Sequence, residues 1–302
     1  MKLRYILYIY LSISFIFISF NLYKGKSLDE KILIHDSGNN WYVMSLLEQD
    51  SREDIKLGDN LYEKYHGIYF LTKKSSHDYF TILYPMKQTD ISFVSELKGN
   101  TIDMLCELPP SRYADEKIFY HGQYLYVIHE EKVFVFDINT KDIVKIFYDR
   151  KPNSVVSKRK DGIALINKNN ELIYMDSNKD YCISSFDKDD EFCGMCSDDT
   201  LLVYNKKGKT SKIMNLENQT IYSLGSHIYE VLDYHNGKVL ITMYPKSSSA
   251  GGFLDIEIQT ICGVPYTITY SHTPFILDMT TKSICSLSIS TWNYKDHHFI
   301  TD

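Results

Sequence analysis

The sequence predicts an all-β fold that follows one membrane-spanning helix. Three observations support this prediction: an uncharged apolar segment near the N-terminus, strand-like alternation of apolar residues in the rest of the chain, and a turn-and-strand pattern that recurs about every 40 residues. The apolar residues alternate in runs of five to seven residues, which is typical of half-buried strands. No long helical stripe follows the N-terminal segment, so we expect a domain of strands and turns.

The composition is that of a globular protein. The 302 residues are 44% hydrophobic and include only 14 Gly and 7 Pro, which excludes disordered and collagen-like proteins. A chain of this length can bury a substantial core, which also excludes a small disulfide scaffold. The net charge of −6 argues against a general nucleic-acid binder, because such a protein needs an excess of Lys and Arg to displace counterions from phosphates.

The N-terminus is predicted to anchor the protein in a membrane. The 19 residues 5–23 carry no charge, and at about 1.5 Å rise per residue such a helix matches the roughly 30 Å hydrocarbon core of a bilayer. The segment lacks the Ala-x-Ala-like site of a cleaved signal peptide, so residues 1–23 are interpreted as an uncleaved signal-anchor, with a cleaved signal as the alternative. Residues 24–30 are then a linker, and residues 31–302 form an extracytoplasmic domain of a single-pass membrane protein.

A tight turn followed by an apolar strand recurs along this domain. The turns are centred on Gly67, Gly122, Gly162, Asp199 and Gly237, with a last element at 295–300. The intervals between the five turns are 55, 40, 37 and 38 residues, and the last element lies 60 residues after the fifth turn. A second set of turns lies at 87–91, 139–143, 177–181, 217–221 and 280–284. Both sets have the Asn, Asp and Gly content of hairpin turns.

Two classes of turn in each repeat imply four antiparallel strands, which we name a to d from the axis outward. Repeated four-stranded sheets of this length are the blades of a β-propeller. The sequence therefore predicts about six four-stranded blades. Over roughly residues 31–302 it resembles the divergent six-bladed β-propellers related to the TolB and YWTD groups. This resemblance implies a closed ring of blades.

The two ends of the domain are expected to complete one blade together. Residues 291–300 are assigned to strand a with the start of strand b, and residues 31–55 to strands b, c and d. Residues 298–301 and 32–35 both resemble strand b. The shared blade could therefore contain one redundant strand, or the ring could have a different number of blades. Joining the first and last strands in one sheet removes two exposed strand edges.

Two insertions predict where the propeller binds. In a propeller the d-to-a and b-to-c connections open on one face, here called the top face, and the a-to-b and c-to-d turns open on the bottom face. Residues 99–116 are assigned to a d-to-a connection, and residues 246–273 to a b-to-c connection in the sixth blade. The second insertion alternates like an amphipathic hairpin, whose apolar side must be covered by the propeller itself or by a partner. The candidate binding residues are Asp255, Glu257, Tyr266, Tyr270 and His272.

The sequence contains no complete catalytic, cofactor or metal-binding motif, so no cofactor or metal is predicted. Residues 208–210 resemble the end of a phosphate-binding loop, but Val203 stands where the first Gly is required. Residues 176–187 resemble a calcium loop, but Tyr181 replaces the Gly that permits its sharp turn. The corresponding position in the other repeats is a hairpin turn, so a hairpin turn is expected at 176–187 as well.

Histidines and cysteines are the remaining candidates for chemistry. Four histidines are assigned to a-to-b turns and interpreted as solvated: His66, His121, His235 and His297. Turns of neighbouring blades lie too far apart to share a zinc ion. Cys193 and Cys196 fall on strand a, where alternation predicts that their sulfurs point to opposite faces. The six cysteines could form three disulfides outside the cytoplasm, and buried free thiols are the alternative.

Three functions are compatible with these features. The one that the sequence favours is a non-catalytic, membrane-anchored propeller that binds a protein, peptide or glycan through its top face. The second is a structural or assembly subunit of a membrane complex, in which the N-terminal helix makes contacts. The third is a propeller hydrolase or lyase that draws its acid and base from Asp255, Glu257, His272 and nearby tyrosines.

Overall fold

The computed structural model describes residues 31–300, with gaps at 36–40, 46–51, 56–64, 76–77, 86–90, 100, 110–116, 227, 245–255, 262–263, 270–273 and 288–297. Within these ranges every regular element is a β-strand, and no helix is long and apolar enough to cross a membrane. The segment 5–23 lies outside the described residues, so the membrane anchor stays a prediction.

Six four-stranded antiparallel sheets confirm the predicted propeller, and the first of them joins the two ends of the domain. In this blade β26 (His298–Ile300) pairs with β1 (Lys31–His35), which is followed by β2 (Trp41–Ser45) and β3 (Arg52–Asp54). The C-terminal residues therefore supply strand a, and the N-terminal segment supplies strands b, c and d. No redundant strand is needed to close the ring.

The next four blades are continuous segments whose strands follow in the order a to d. The second blade consists of β4 (Tyr65–Lys73), β5 (Asp78–Pro85), β6 (Ser92–Lys98) and β7 (Thr101–Leu108). The third consists of β8 (Lys117–His121), β9 (Tyr124–His129), β10 (Lys132–Asp137) and β11 (Asp142–Phe147). The fourth consists of β12 (Val156–Arg159), β13 (Gly162–Ile166), β14 (Glu171–Met175) and β15 (Asp180–Ser185). The fifth consists of β16 (Asp190–Met195), β17 (Thr200–Asn205), β18 (Thr210–Asn215) and β19 (Thr220–Gly225).

The sixth blade is interrupted by a separate hairpin. Its four strands are β20 (Ile228–His235), β21 (Lys238–Tyr244), β24 (Phe275–Asp278) and β25 (Ser283–Ser286). The hairpin consists of β22 (Ile256–Ile261) and β23 (Val264–Thr269) and is inserted between β21 and β24. Since these are strands b and c of the blade, the predicted b-to-c insertion is confirmed.

The hydrophobic core is divided into six clusters, one between each pair of neighbouring blades. Successive residues of a strand point to opposite faces of its blade. On β1, Ile32 therefore packs with Leu232 of the sixth blade, whereas Leu33 packs with Leu83 of the second. Because each blade is buried on both faces and the series of clusters returns to the first blade, the ring is closed with six members.

The c-to-d turns of the third to sixth blades share one local design. An Asp or Asn at the end of strand c accepts, through Oδ1, hydrogen bonds from backbone N–H groups two to four positions later. These residues are Asp137, Asp176, Asn215 and Asp278. Such Asx turns favour a tight reversal of the chain. At Asp176 the turn is therefore the expected hairpin.

The second blade differs from the predicted repeat in three places. Gly67 lies inside β4 and not in an a-to-b turn, because the β4–β5 ladder changes register beside it and accommodates the irregularity within the strand. Residues 87–91 connect strands b and c, so they are not a c-to-d turn. Residues 101–108, assigned to an insertion, form the outer strand β7, and only residues 109–116 join the second blade to the third.

The outer strands are tied to one another and protected at their edges. Strand d of one blade contacts the c-to-d turn or the start of strand d of the next blade. These contacts join Asp103 with Lys141 (3.4 Å), Lys145 with Asp180 (3.4 Å), Ser184 with Asn218 (3.1 Å) and Tyr222 with Met279 (2.8 Å). The outer strands β7, β11, β15 and β19 also change register against their c strands. Such bulges twist an edge strand and discourage pairing with another chain.

Candidate functional site

Two of the predicted binding residues lie on the β22–β23 hairpin within the described residues. Glu257 lies on β22 and Tyr266 on β23. The other three lie outside the described residues: Asp255, Tyr270 and His272. The ladder pairs Glu257 with Ile268 and Gln259 with Tyr266. Because paired residues share a face of a sheet, the register brings Glu257 and Tyr266 to one face of the hairpin.

The same register pairs apolar residues of one strand of the hairpin with polar residues of the other, and the predicted amphipathic character stays a prediction. Ile256 and Ile258 are each paired with a threonine of β23. The register is fixed at the loop, where Ile261 pairs with Val264, and a shift of one residue would be needed to align the apolar faces. β22 also lies beside β19, so the hairpin contacts the outer strand of the fifth blade.

The inner strands of the fourth, fifth and sixth blades converge at Gly194. This residue of β16 has a φ of 127°. An added Cβ would lie 2.5 Å from Cβ of Val231 on β20 and 3.0 Å from Oγ of Ser157 on β12. Ser157 Oγ also accepts a hydrogen bond from the backbone N–H of Met195 at 3.1 Å. The three strands can approach this closely because the fifth blade carries no side chain at that point.

An ion pair crosses the axis of the ring. Nζ of Lys117, the first residue of β8, lies 3.4 Å from Oε1 of Glu230 on β20, and Glu230 is buried. The two residues belong to the third and sixth blades, which are opposite each other in a six-membered ring. The pair therefore braces the centre of the propeller.

On the bottom face a hydrogen-bonded cluster joins the fourth, fifth and sixth blades. Its centre is Asp198, in the a-to-b turn of the fifth blade. Oδ1 of Asp198 accepts hydrogen bonds from the Tyr234 hydroxyl at 2.5 Å and from the backbone N–H of Lys160 at 2.9 Å. The Asp198 carbonyl accepts one from Nε of Arg159 at 2.9 Å. Burial, and then the bond to Asp198, raise the pKa of Tyr234, so this phenol remains a donor at neutral pH.

His121 is not the solvated turn residue that the sequence predicted. It ends β8, its Nε2 is buried, and its ring makes a T-shaped contact with Tyr126 at 6.0 Å. Burial, with a smaller effect of Lys158, lowers the pKa of His121 to about 4, so its imidazole is neutral at pH 7. Of the other three histidines, His66 lies on β4, His235 ends β20 and His297 lies outside the described residues. The described residues contain no group of three or more His, Cys, Asp and Glu that could hold a metal ion.

Four of the six cysteines are free thiols: Cys106, Cys182, Cys193 and Cys196. The sulfurs of Cys193 and Cys196 were expected on opposite faces, yet both residues belong to one core cluster, because a bulge between Phe192 and Gly194 reverses the strand alternation. Three residues of extended strand place their Cα atoms roughly 10 Å apart, beyond the reach of a disulfide. Burial raises the pKa of both thiols, which keeps them protonated and unreactive.

The axial ion pair and the Asp198 cluster were not predicted from the sequence. One signal for them is present, because residues 157–160 read Ser-Lys-Arg-Lys, a basic run in an acidic chain. The structure places this run at the inner end of the fourth blade, beside Asp198. The axial pair has no comparable signal, since its two residues are 113 positions apart.

Comparison with known proteins identifies the fold. No family model and no curated protein sequence matches the chain. A chain of the nidogen/laminin complex superimposes with a TM-score of 0.50 at 7% identity, over 90% of this chain and 98% of that one. The Cps50 (Swd1) β-propeller domain of Myceliophteria thermophila gives 0.40 at 13% identity, over 72% and 85%. BamB from Moraxella catarrhalis gives 0.41 at 9% identity, over 71% and 67%. At 7% identity, the likeness to the chain of the nidogen/laminin complex shows the fold alone.

Proposed function

We propose that this protein is a membrane-anchored, non-catalytic propeller that binds a protein, peptide or glycan through its top face. The observation that carries the proposal is the insertion in the sixth blade. In the other five blades two to six residues join strands b and c, whereas 30 residues separate β21 from β24. A connection on a rigid scaffold can be extended without disturbing the core, and binding residues are concentrated in such connections.

The residues of the hairpin support a polar or glycan-like ligand, or a protein surface. Glu257 and Tyr266 share a face by register. A carboxylate accepts hydrogen bonds from hydroxyl and amide groups, and a tyrosine ring adds a large contact area with a polar tip. A chain of similar fold occurs in a protein complex, that of nidogen with laminin, which supports a protein as the partner. The apolar segment 5–23 would hold the domain at a membrane surface.

Site-specific photo-crosslinking in native membranes tests the proposal. A photoreactive amino acid is placed at Glu257 or at Tyr266 of the full-length chain. The control position is Glu217, which is exposed in a c-to-d turn on the bottom face. We expect one discrete adduct from the two hairpin positions and none from the control. The adduct should disappear when residues 247–272 are replaced by a short Gly-Ser turn, with the unfolding midpoint of the shortened chain confirming that it folds.

Two other outcomes would favour a different function. An adduct that survives replacement of the hairpin, but is lost when residues 1–23 are deleted, would identify an assembly subunit that makes its contacts through the anchor. No adduct from either hairpin position would remove the support for the top face as a binding surface. Extraction at high pH, which releases peripheral but not spanning proteins, tests the anchor separately.

A further inference from the structure

The chain enters the first blade at the bottom face of the propeller. Strand b of a blade starts at the a-to-b turn, which lies on the bottom face, and β1 is strand b of the first blade. The ladder agrees with this placement, because Lys31 at the start of β1 pairs with Ile300 at the bottom end of β26. The predicted linker 24–30 therefore joins the propeller at its bottom face.

The insertion of the sixth blade starts and ends on the other face. β21 is strand b of this blade and runs from Lys238 on the bottom face to Tyr244 on the top face. Strand c begins with β24, where Phe275 pairs with Ile241 near the top end of β21. The β22–β23 hairpin is inserted between these two strands, so the propeller separates it from the point where the linker is attached.

The linker is short compared with the propeller. From residue 23 to Lys31 a fully extended chain spans at most about 29 Å. The headgroup layer on one side of a bilayer takes up roughly 5–7 Å of this length, which leaves about 22 Å. The bottom face is therefore held close to the membrane if residues 5–23 span it.

The inverted orientation, with the top face toward the bilayer, does not fit this length. The linker would then have to run around the edge of the first blade, where β2 and β3 lie outside β1. These two strands add about 10 Å at about 4.8 Å per strand, and the five-residue strand β1 adds about 17 Å from bottom to top. The path of about 27 Å exceeds the remaining reach, even before the side chains and the insertion are counted.

We propose that the propeller stands on the membrane with its bottom face toward the lipid headgroups and its top face toward the aqueous phase. The partner of the hairpin would then approach from the aqueous phase, and neither the lipid surface nor a membrane-spanning segment would reach it. This inference rests on the anchor in the proposed function and adds the side from which the partner comes.

The residues of the bottom face support this orientation. The exposed residues of the described c-to-d turns at 139–141, 178–179, 217–219 and 280–282 are all polar or charged. Such side chains are compatible with lipid headgroups and water, whereas their insertion into hydrocarbon would be costly. The bottom face would therefore lie beside the headgroups without entering the bilayer.

Energy transfer to labelled lipids tests the orientation. The full-length chain is reconstituted into phosphatidylcholine vesicles that contain a small fraction of headgroup-labelled acceptor lipid. A donor dye is attached through a genetically encoded amino acid at Glu217 or at Lys207, which are exposed in the c-to-d and b-to-c turns of the fifth blade. Because β18 lies between the two positions, they differ in face and not in blade. We expect stronger energy transfer from Glu217 than from Lys207.

A chain with a longer linker is the matched control. About 20 Gly and Ser residues inserted after Lys26 form a flexible chain that can reach around the first blade. The difference between the two dye positions should then shrink, and this result would support the proposal.

The remaining outcomes separate this inference from the proposed function. Equal transfer from the two positions, stronger transfer from Lys207, or a difference that the longer linker leaves unchanged would overturn the orientation alone, because photo-crosslinking at the hairpin tests binding independently. No transfer from either position would show that the chain is not held at the membrane. The anchor of the proposed function would then fail together with this inference.

Discussion

Replacing Gly194 by Ala should weaken the propeller at its axis. The new Cβ would lie 2.5 Å from Cβ of Val231 and 3.0 Å from Oγ of Ser157. The first of these atoms is held close to the backbone of β20, so rotation of a side chain cannot relieve the contact. The φ of 127° adds strain, because residues other than glycine rarely adopt this backbone angle. Both effects act where the inner strands of three blades meet.

The magnitude follows from these two terms. Overpacking in a close-packed core costs about 1–3 kcal/mol, and a strained backbone residue costs about 1–3 kcal/mol. We therefore expect Gly194→Ala to lower the free energy of unfolding by about 2–6 kcal/mol, a large part of the roughly 5–15 kcal/mol of a typical protein. Gly122→Ala is the control. Its φ is 60° and an added Cβ would meet no atom within 4 Å, so only the left-handed backbone is penalised, by about 1–2 kcal/mol.

Urea unfolding measures the difference between the two variants. Trp41 is a suitable fluorescent probe because it is buried between the first and second blades, so its fluorescence reports on the packing of these two blades. Gly194→Ala should have the lower midpoint at an unchanged slope. Equal losses in the two alanine variants would show that the inner strands have room for a side chain, and the argument from close approach would be refuted.

Three more predictions concern the axis, His121 and the thiols. Glu230→Gln should lower the free energy of unfolding by about 3 kcal/mol because it leaves Lys117 without its partner. The control Glu191→Gln removes an exposed ion pair with Lys206 and should cost less than about 1 kcal/mol. Similar urea midpoints for the two variants would contradict this expectation. Because the pKa of His121 falls from 6.5 to about 4 on folding, the unfolded chain binds more protons than the folded chain between these two pH values. Stability should therefore drop by about 3 kcal/mol between pH 7 and pH 4, and urea unfolding across this range should show a smaller drop in His121→Gln. Iodoacetamide should modify the exposed Cys182 in the native protein and the buried Cys193 and Cys196 only after unfolding, as followed by mass spectrometry; rapid native labelling of Cys193 would show that its burial is wrong.

Local patterns in the sequence predicted most of the fold. The c-to-d turns at 139–143 and 280–284 were predicted from their turn residues, and the structure adds that Asp137 and Asp278, which precede them, accept the backbone hydrogen bonds. The insertion in the sixth blade could also be placed, because it interrupts a regular repeat. The prediction failed where the strand itself is irregular, as at Gly67, which resembles the turn glycine of other blades but lies within β4.

Less of the candidate site could be predicted. The hairpin was predicted from the alternation of its residues, whereas its register could not be predicted, because pairing is fixed by the loop at Ile261 and Val264. The same limit applies to Cys193 and Cys196, since a single bulge inverts which face a residue occupies. Such bulges depend on how the partner strand packs. The alternation of apolar and polar residues along a single strand does not contain this information.

The sequence by itself determined the strand period, the repeat length, the class of turns and the position of the inserted hairpin, because each depends on residues close together in the chain. The sequence also predicted that the two chain ends share one blade, but only the tertiary structure decided that 298–300 form strand a alone and what lies at the axis of the ring. The contact of Lys117 with Glu230, the side-chain-free position of Gly194 and the hydrogen bond from Arg159 to the Asp198 carbonyl arise between blades. Their physical cause is the packing of inner strands from distant segments, which no local pattern specifies.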